Sequence, residues 1–179
     1  LHVAYNHVWP QVAPAVKRSF QAAQAVFFEL DLTDPATLAE LSACQLLPGN
    51  ESLADRLPSE LIGRVDRHLA GVAARLAEWT RPERRQLAEY LLDSATSAWR
   101  RKRPIWLLLL VKSVTRGQLA DRAVPVLDLY LAQQARRLGK VTGPVELVKD
   151  QCEPLNRIDD GQVSPSFLSD GTRFRVEAE

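Results

Sequence analysis

The run Ala25-Val26-Phe27-Phe28-Glu29-Leu30-Asp31 constrains this chain more than any other segment. It is short, continuous and apolar, rich in β-branched and aromatic residues, and carries acids at its C-terminal end. That is the chemistry of a buried strand in a parallel sheet. A helix is read on each side of it. Before it, Val16, Phe20 and Ala23 line one face of a helix from Pro14 to about Ala25, with Pro14 suited to a first turn. After it, Thr33-Asp34-Pro35 is a helix start, because the side-chain oxygens can cap free N–H groups and Pro35 has none to lose. That helix is expected to run to about Cys44.

Further along, Leu61, Val65, Leu69, Val72, Leu76 and Trp79 recur at three- and four-residue steps and define a long amphipathic helix from Ser59 to Trp79. Two more helices are read from Pro82 to about Trp99 and from Pro104 to about Arg122. Val124 to Asp128 reads as a short strand or loop entering a helix, Leu129 to Leu138, that Gly139 ends. Lys140 to Glu146 returns to strand-like chemistry. At the start, Leu1 to Tyr5 reads as the end of a strand running into a loop at Asn6 to Pro10. The expected class is therefore α/β, a small mostly parallel sheet with a helical insertion at about 59–122. Beyond Asn156 the sequence turns polar and is expected to bury little.

Charge and cysteine content narrow the function. Twenty-three basic against 22 acidic side chains give a net charge of +1, which does not predict a global attraction to nucleic acid. The densest basic run, Arg100-Arg101-Lys102-Arg103, lies between Trp99 and Trp106, but its setting reads as solvated helix faces. The longest apolar run, Ile105 to Val111, falls far short of the roughly 20 residues a membrane helix needs. Two cysteines are too few for a disulfide-built miniprotein or a four-Cys zinc module. One bridge, Cys44 to Cys152, would close a loop on the order of 100 residues. Asn50-Glu51-Ser52 fits the N-glycosylation pattern and falls in a turn. Both features belong outside the cytosol, whereas two buried thiols and a chance tripeptide would leave the compartment open.

Candidate chemistry gathers at strand ends, where ligands bind in α/β sheets. His2 and His7 flank the first loop, and Glu29 and Asp31 end the second strand. A histidine with a carboxylate is a minimal set for a divalent metal or for general-base work on water. The ordinary alternative is that His2 caps a terminus and Glu29 makes a structural ion pair. Asp128 and Glu146 are further acids at strand ends, although an Asp before a helix is more often an N-cap than a catalyst and Glu146 is equally ambiguous. No HExxH, GxSxG, Gly-rich phosphate loop or Cys-x-x-Cys is present.

Several separated stretches together resemble one family: HVAYNHVW, VFFELDLTDPATL, SACQLLPGNESLADRLP, RRKRPIWLLLLVKSVT, VPVLDLYLAQQA and VELVKDQCEPLN. From His2 to about Gln162 the chain resembles the TIKI metalloproteases, the extracellular Wnt-inactivating branch of the TraB-like superfamily. The resemblance implies a protease dependent on manganese or cobalt, held on the extracellular face of the cell membrane by a single-pass anchor. It implies Wnt proteins as substrates, trimmed at their N-termini, and hence antagonism of Wnt signalling. The family's hallmark is a pair of Gly-x-x-His motifs and an acid in the early Phe-Glu strand. His2 matches the first histidine and Glu29 the acid. Both are expected to bind metal, with Glu29 activating water and Asp128 and Glu146 supporting them. The second Gly-x-x-His is absent, and residues 163–179 no longer follow the family. The expectation is an N-terminal part of a longer domain over residues 1–162 with a divergent tail. The alternative is an inactive fragment that only binds a Wnt protein or another partner.

Overall fold

The computed structural model describes residues 4–115, 119 and 124–163. It divides into two units, Leu1–Cys44 with Val124–Glu153, and Gln45–Ala123 with Pro154–Glu179.

In the first unit the apolar run forms strand β1, Ala25–Phe28, which pairs in parallel with β2, Val141–Pro144. Ala25 sits opposite Val141 and Phe28 opposite Pro144. The fold is thus α/β with a small parallel sheet. Helix α1 (Tyr5–Val8) and a 3-10 turn at Trp9–Gln11 lead to α2, Pro14–Ala22. Helix α3 spans Pro35–Cys44. Its start follows the capping argument: Asp34 Oδ2 accepts from Thr37 N at 3.0 Å and Thr37 Oγ1 at 2.8 Å, and Oδ1 accepts from Ala36 N at 3.3 Å.

The Thr37 hydroxyl, followed by the Thr37 and Ala36 N–H groups, lowers the Asp34 pKa below the usual carboxylate value. A depressed folded-state pKa gives stability that is present above the unfolded pKa and lost as pH falls through the folded one. The start of α3 is therefore expected to loosen below about pH 4. Amide exchange at Ala36 and Thr37 should accelerate as the solution is acidified, and Asp34→Asn should remove that pH dependence.

Helix α7, Leu127–Arg137, covers one face of the sheet. Ala132 and Ala135 are buried against Phe28, with Phe20, Val26 and Leu131 packed around them. The strand period of two explains the choice, since Val26 and Phe28 point one way and Ala25 and Phe27 the other. On that other side Phe27 is 58% exposed and Val141 64%. Gly143 leaves room there for the Phe27 ring, which a Cβ would approach to 3.2 Å. Gly139, at φ +66°, ends α7 as expected, with Lys140 N donating to Ala135 O at 3.0 Å.

Two local expectations differ. The segment after Ala4 is helical rather than loop, because Ala4 bridges Val126 and the Tyr5 ring stacks on Tyr130 at 4.0 Å, with Trp9 edge-on to Tyr130. Strand β1 also stops at Phe28. There Asp31 turns the chain, its Oδ1 accepting from both Thr33 N and Thr33 Oγ1.

The second unit is helical. Helices α4 (Ser59–Trp79), α5 (Arg85–Thr96) and α6 (Pro104–Ser113) surround a core containing Leu53, Leu61, Val65, Val72, Leu76, Ala88, Trp99 and Leu107. The α4 stripe read from the sequence is the buried face, with Leu69 and Trp79 packed at its margin. Val163 is also in this core at 2% exposure, so the polar segment after Asn156 contributes more burial than its composition suggests.

The basic run is solvated at Arg100, whose side chain is 54% exposed, and it also clips neighbouring segments together. Leu46 bridges Lys102, Lys102 Nζ donates to Gln45 Oε1 at 2.5 Å, Arg101 to Gly49 O at 2.6 Å, and Arg100 to Asp66 at 2.6 Å. Burial lowers the Lys102 pKa. Among the described residues no helix is long and apolar enough to cross a membrane.

Candidate functional site at the parallel strand ends

The ladder between β1 and β2 continues one step past the strands. Val145 N donates to Phe28 O at 2.8 Å and Glu146 N to Glu29 O at 3.1 Å. The last strand residues are thus followed by two carboxylates side by side, at the end of a parallel sheet where ligands bind. Both side chains are exposed.

Helix α8, Val148–Asn156, returns over this end. Asp150 Oδ2 accepts from Leu147 N at 2.9 Å, and Val148 and Cys152 are buried. Cys152 is disulfide-bonded to Cys44 at the end of α3, with the Cα atoms 6.2 Å apart. One residue before it, Gln151 Nε2 donates to Glu29 Oε1 at 2.5 Å and to Glu146 Oε2 at 3.3 Å.

The structure therefore brings Glu29 and Glu146 together through Gln151. Asp128 lies on another element, exposed in the first turn of α7, where a negative charge favours the helix dipole. Asp31, the other acid of the strand run, is 8% exposed and faces Arg136 Nη2 at 4.0 Å. His7 is exposed on α1. His2 lies outside the described residues. His68, on α4 of the second unit, is half-buried and burial lowers its pKa. Asn50 is exposed in the turn after Gly49.

Sequence reasoning missed Gln151. The available signal was Val148 and Cys152, apolar residues four apart, which mark a helix starting two residues after Glu146.

Among the described residues no three His, Cys, Asp or Glu side chains gather closely enough to hold a metal ion. A catalytic divalent ion takes about three protein ligands. The hard oxygens of Glu29 and Glu146 suit manganese, but their shared partner is an amide and among the described residues no imidazole joins them. The described residues alone do not fit a metal centre.

A parallel-stranded α/β unit with acids at its strand ends is the setting in which the comparisons with known proteins fall. The chain belongs to the TraB/PrgY/gumN family, whose model matches residues 1–170. Within the curated proteins it is similar to Metalloprotease TIKI1 of Danio rerio, 48% identical over 166 residues, covering 91% of this chain and 34% of that protein. Metalloprotease TIKI1 of Homo sapiens is 45% identical over 166 residues, covering 91% and 33%. A Metalloprotease TIKI homolog of Amphimedon queenslandica is 34% identical over 169 residues, covering 91% and 33%. The chain spans about a third of the length of these curated relatives. No solved structure matches it.

Proposed function

We propose that this chain is part of a metal-dependent protease that removes N-terminal residues from Wnt proteins and so lowers Wnt signalling. The observation that carries this reading is the 48% identity, over 91% of the chain, to a protein named a metalloprotease. The pair Glu29 and Glu146 at the strand ends supports it, since an acid at that position is suited to general-base work on water. By resemblance the metal is manganese or cobalt, with His2 and Glu29 as its ligands, Glu29 as the catalytic carboxylate, and Asp128 and Glu146 supporting them. The setting is the extracellular face of the cell membrane, with an anchor in a longer protein. The Cys44–Cys152 bond and an exposed Asn50 in a sequon suit that compartment.

A second reading is an inactive module that binds a Wnt protein or another partner without cutting it. The tie of Glu29 and Glu146 to the Gln151 amide is what supports it, since it gives both carboxylates a structural partner.

One preparation separates the two. The protein is secreted from cultured cells, its manganese and cobalt are measured, and it is incubated with a Wnt protein whose N-terminus is then sequenced. Trimming is expected, and Glu29→Gln is expected to slow it by on the order of a hundredfold or more. Retained Wnt binding with no trimming and no bound metal would establish the second reading. The same material reports on Asn50: Asn50→Gln should lose a glycan-dependent shift in gel mobility.

A further inference from the structure

Two carboxylates side by side at a sheet end repel each other, and exposed side chains with rotatable bonds would swing apart into water. Here they do not stand alone. The Gln151 amide has two N–H groups and donates to each carboxylate, at 2.5 Å to Glu29 and 3.3 Å to Glu146. A glutamine is normally too mobile to impose a geometry, because ordering its rotamers costs conformational entropy. Three features of α8 reduce that freedom. Asp150 closes the turn onto Leu147 N, Val148 is only 5% exposed, and the residue after Gln151, Cys152, is 3% exposed and covalently tied to Cys44. The backbone that carries Gln151 is thus fixed from both sides.

We propose that Gln151 is a positioning residue that holds the Glu29 carboxylate beside Glu146, and that the Cys44–Cys152 bond acts on the site through it. This assignment rests on the proposed role of Glu29 in hydrolysis. Gln151 touches no reacting atom. It sets the direction in which a Glu29 oxygen faces, and it offsets the repulsion between the two acids. The disulfide therefore does more than join α3 to α8: it keeps the donor in register with its acceptors, so opening it should disorder a carboxylate on a different element.

The test uses the whole chain and two readouts. In a ¹⁵N-correlated spectrum the Gln151 side-chain amide, identified by its loss in Gln151→Ala, should lie away from the exposed glutamines and exchange slowly. It should move to their position in Glu29→Ala, and likewise in Cys44→Ser/Cys152→Ser. In the cleavage assay Gln151→Ala should lower kcat on the order of tenfold to a hundredfold with KM and Tm unchanged. Lys149→Ala, on the exposed side of α8, should change neither readout.

A Gln151 amide that resembles an exposed glutamine in the unsubstituted protein and ignores Glu29→Ala overturns the proposal. So does a Gln151→Ala protein with full kcat where Glu29→Gln has lost it. A chain that cleaves nothing, or whose Glu29→Gln variant cleaves normally, overturns the protease reading instead. The amide resonances then still decide whether Gln151 holds Glu29.

Discussion

Replacing both cysteines, as Cys44→Ser with Cys152→Ser, is expected to lower the unfolding free energy of the first unit by roughly 4 kcal/mol. The two residues are 108 positions apart, and a cross-link over a loop of that size removes much of the freedom of the unfolded chain. With only two cysteines in the chain, no second disulfide joins α3 to α8. The loss is large against the 5–15 kcal/mol by which domains are usually stable. Urea unfolding of the oxidised protein and the double variant measures it, and amide exchange at residues of β1 and α7 reads the first unit separately. A change below about 1 kcal/mol would mean that the bond does not restrain the unfolded chain as the loop-entropy account requires.

Leu107→Ala is the corresponding test of the second unit. The Leu107 side chain is fully buried on α6 among Val65, Val72, Leu76 and Trp99 in one core. Truncating a buried leucine costs the transfer of the lost carbons and the cavity left behind, about 2–5 kcal/mol. Leu109, two residues on in the same apolar run, is 40% exposed. Leu109→Ala should therefore stay within about 0.5 kcal/mol of the parent. Denaturation followed by tryptophan fluorescence, to which Trp79, Trp99 and Trp106 of this unit contribute, compares them, and equal losses in the two variants would contradict the burial assigned to α6.

That pair also marks how much the sequence discloses. The α4 stripe was legible because polar residues separate its apolar ones, so the 3.6-residue period shows which face is buried. In Ile105 to Val111 the apolar residues are continuous. Composition reveals a buried segment there but not that Leu107 and Leu110 face inward while Leu109 does not. The α3 start was legible for a local reason, the Asp34 cap, and so was the end of α7 at Gly139. Helix α1 was not, since what holds Tyr5 is the distant ring of Tyr130.

The site divides in the same way. Glu29 and Glu146 could be placed at strand ends from pattern alone. That they are neighbours depends on the parallel pairing of β1 with β2, and their link through Gln151 spans 122 positions of sequence from Glu29. The basic run was legible as surface but its partners were not: three of its four charges bond Asp66, Gly49 and Gln45, which are distant in sequence.

The separation of β1 from β2 also governs the order of events during synthesis. Residues 59–113 contain helices whose contacts are close in sequence, and these can form while translation continues. The first unit cannot close until β2 and α8 have left the ribosome. At about 5–20 residues per second, Cys44 waits roughly 5 to 20 seconds for a partner that emerges 108 positions later. Throughout that interval its thiol is open to exchange with other chains. In the extracellular setting proposed above, the yield of correctly paired protein would depend on how fast the bond is oxidised as much as on the stability of the finished fold.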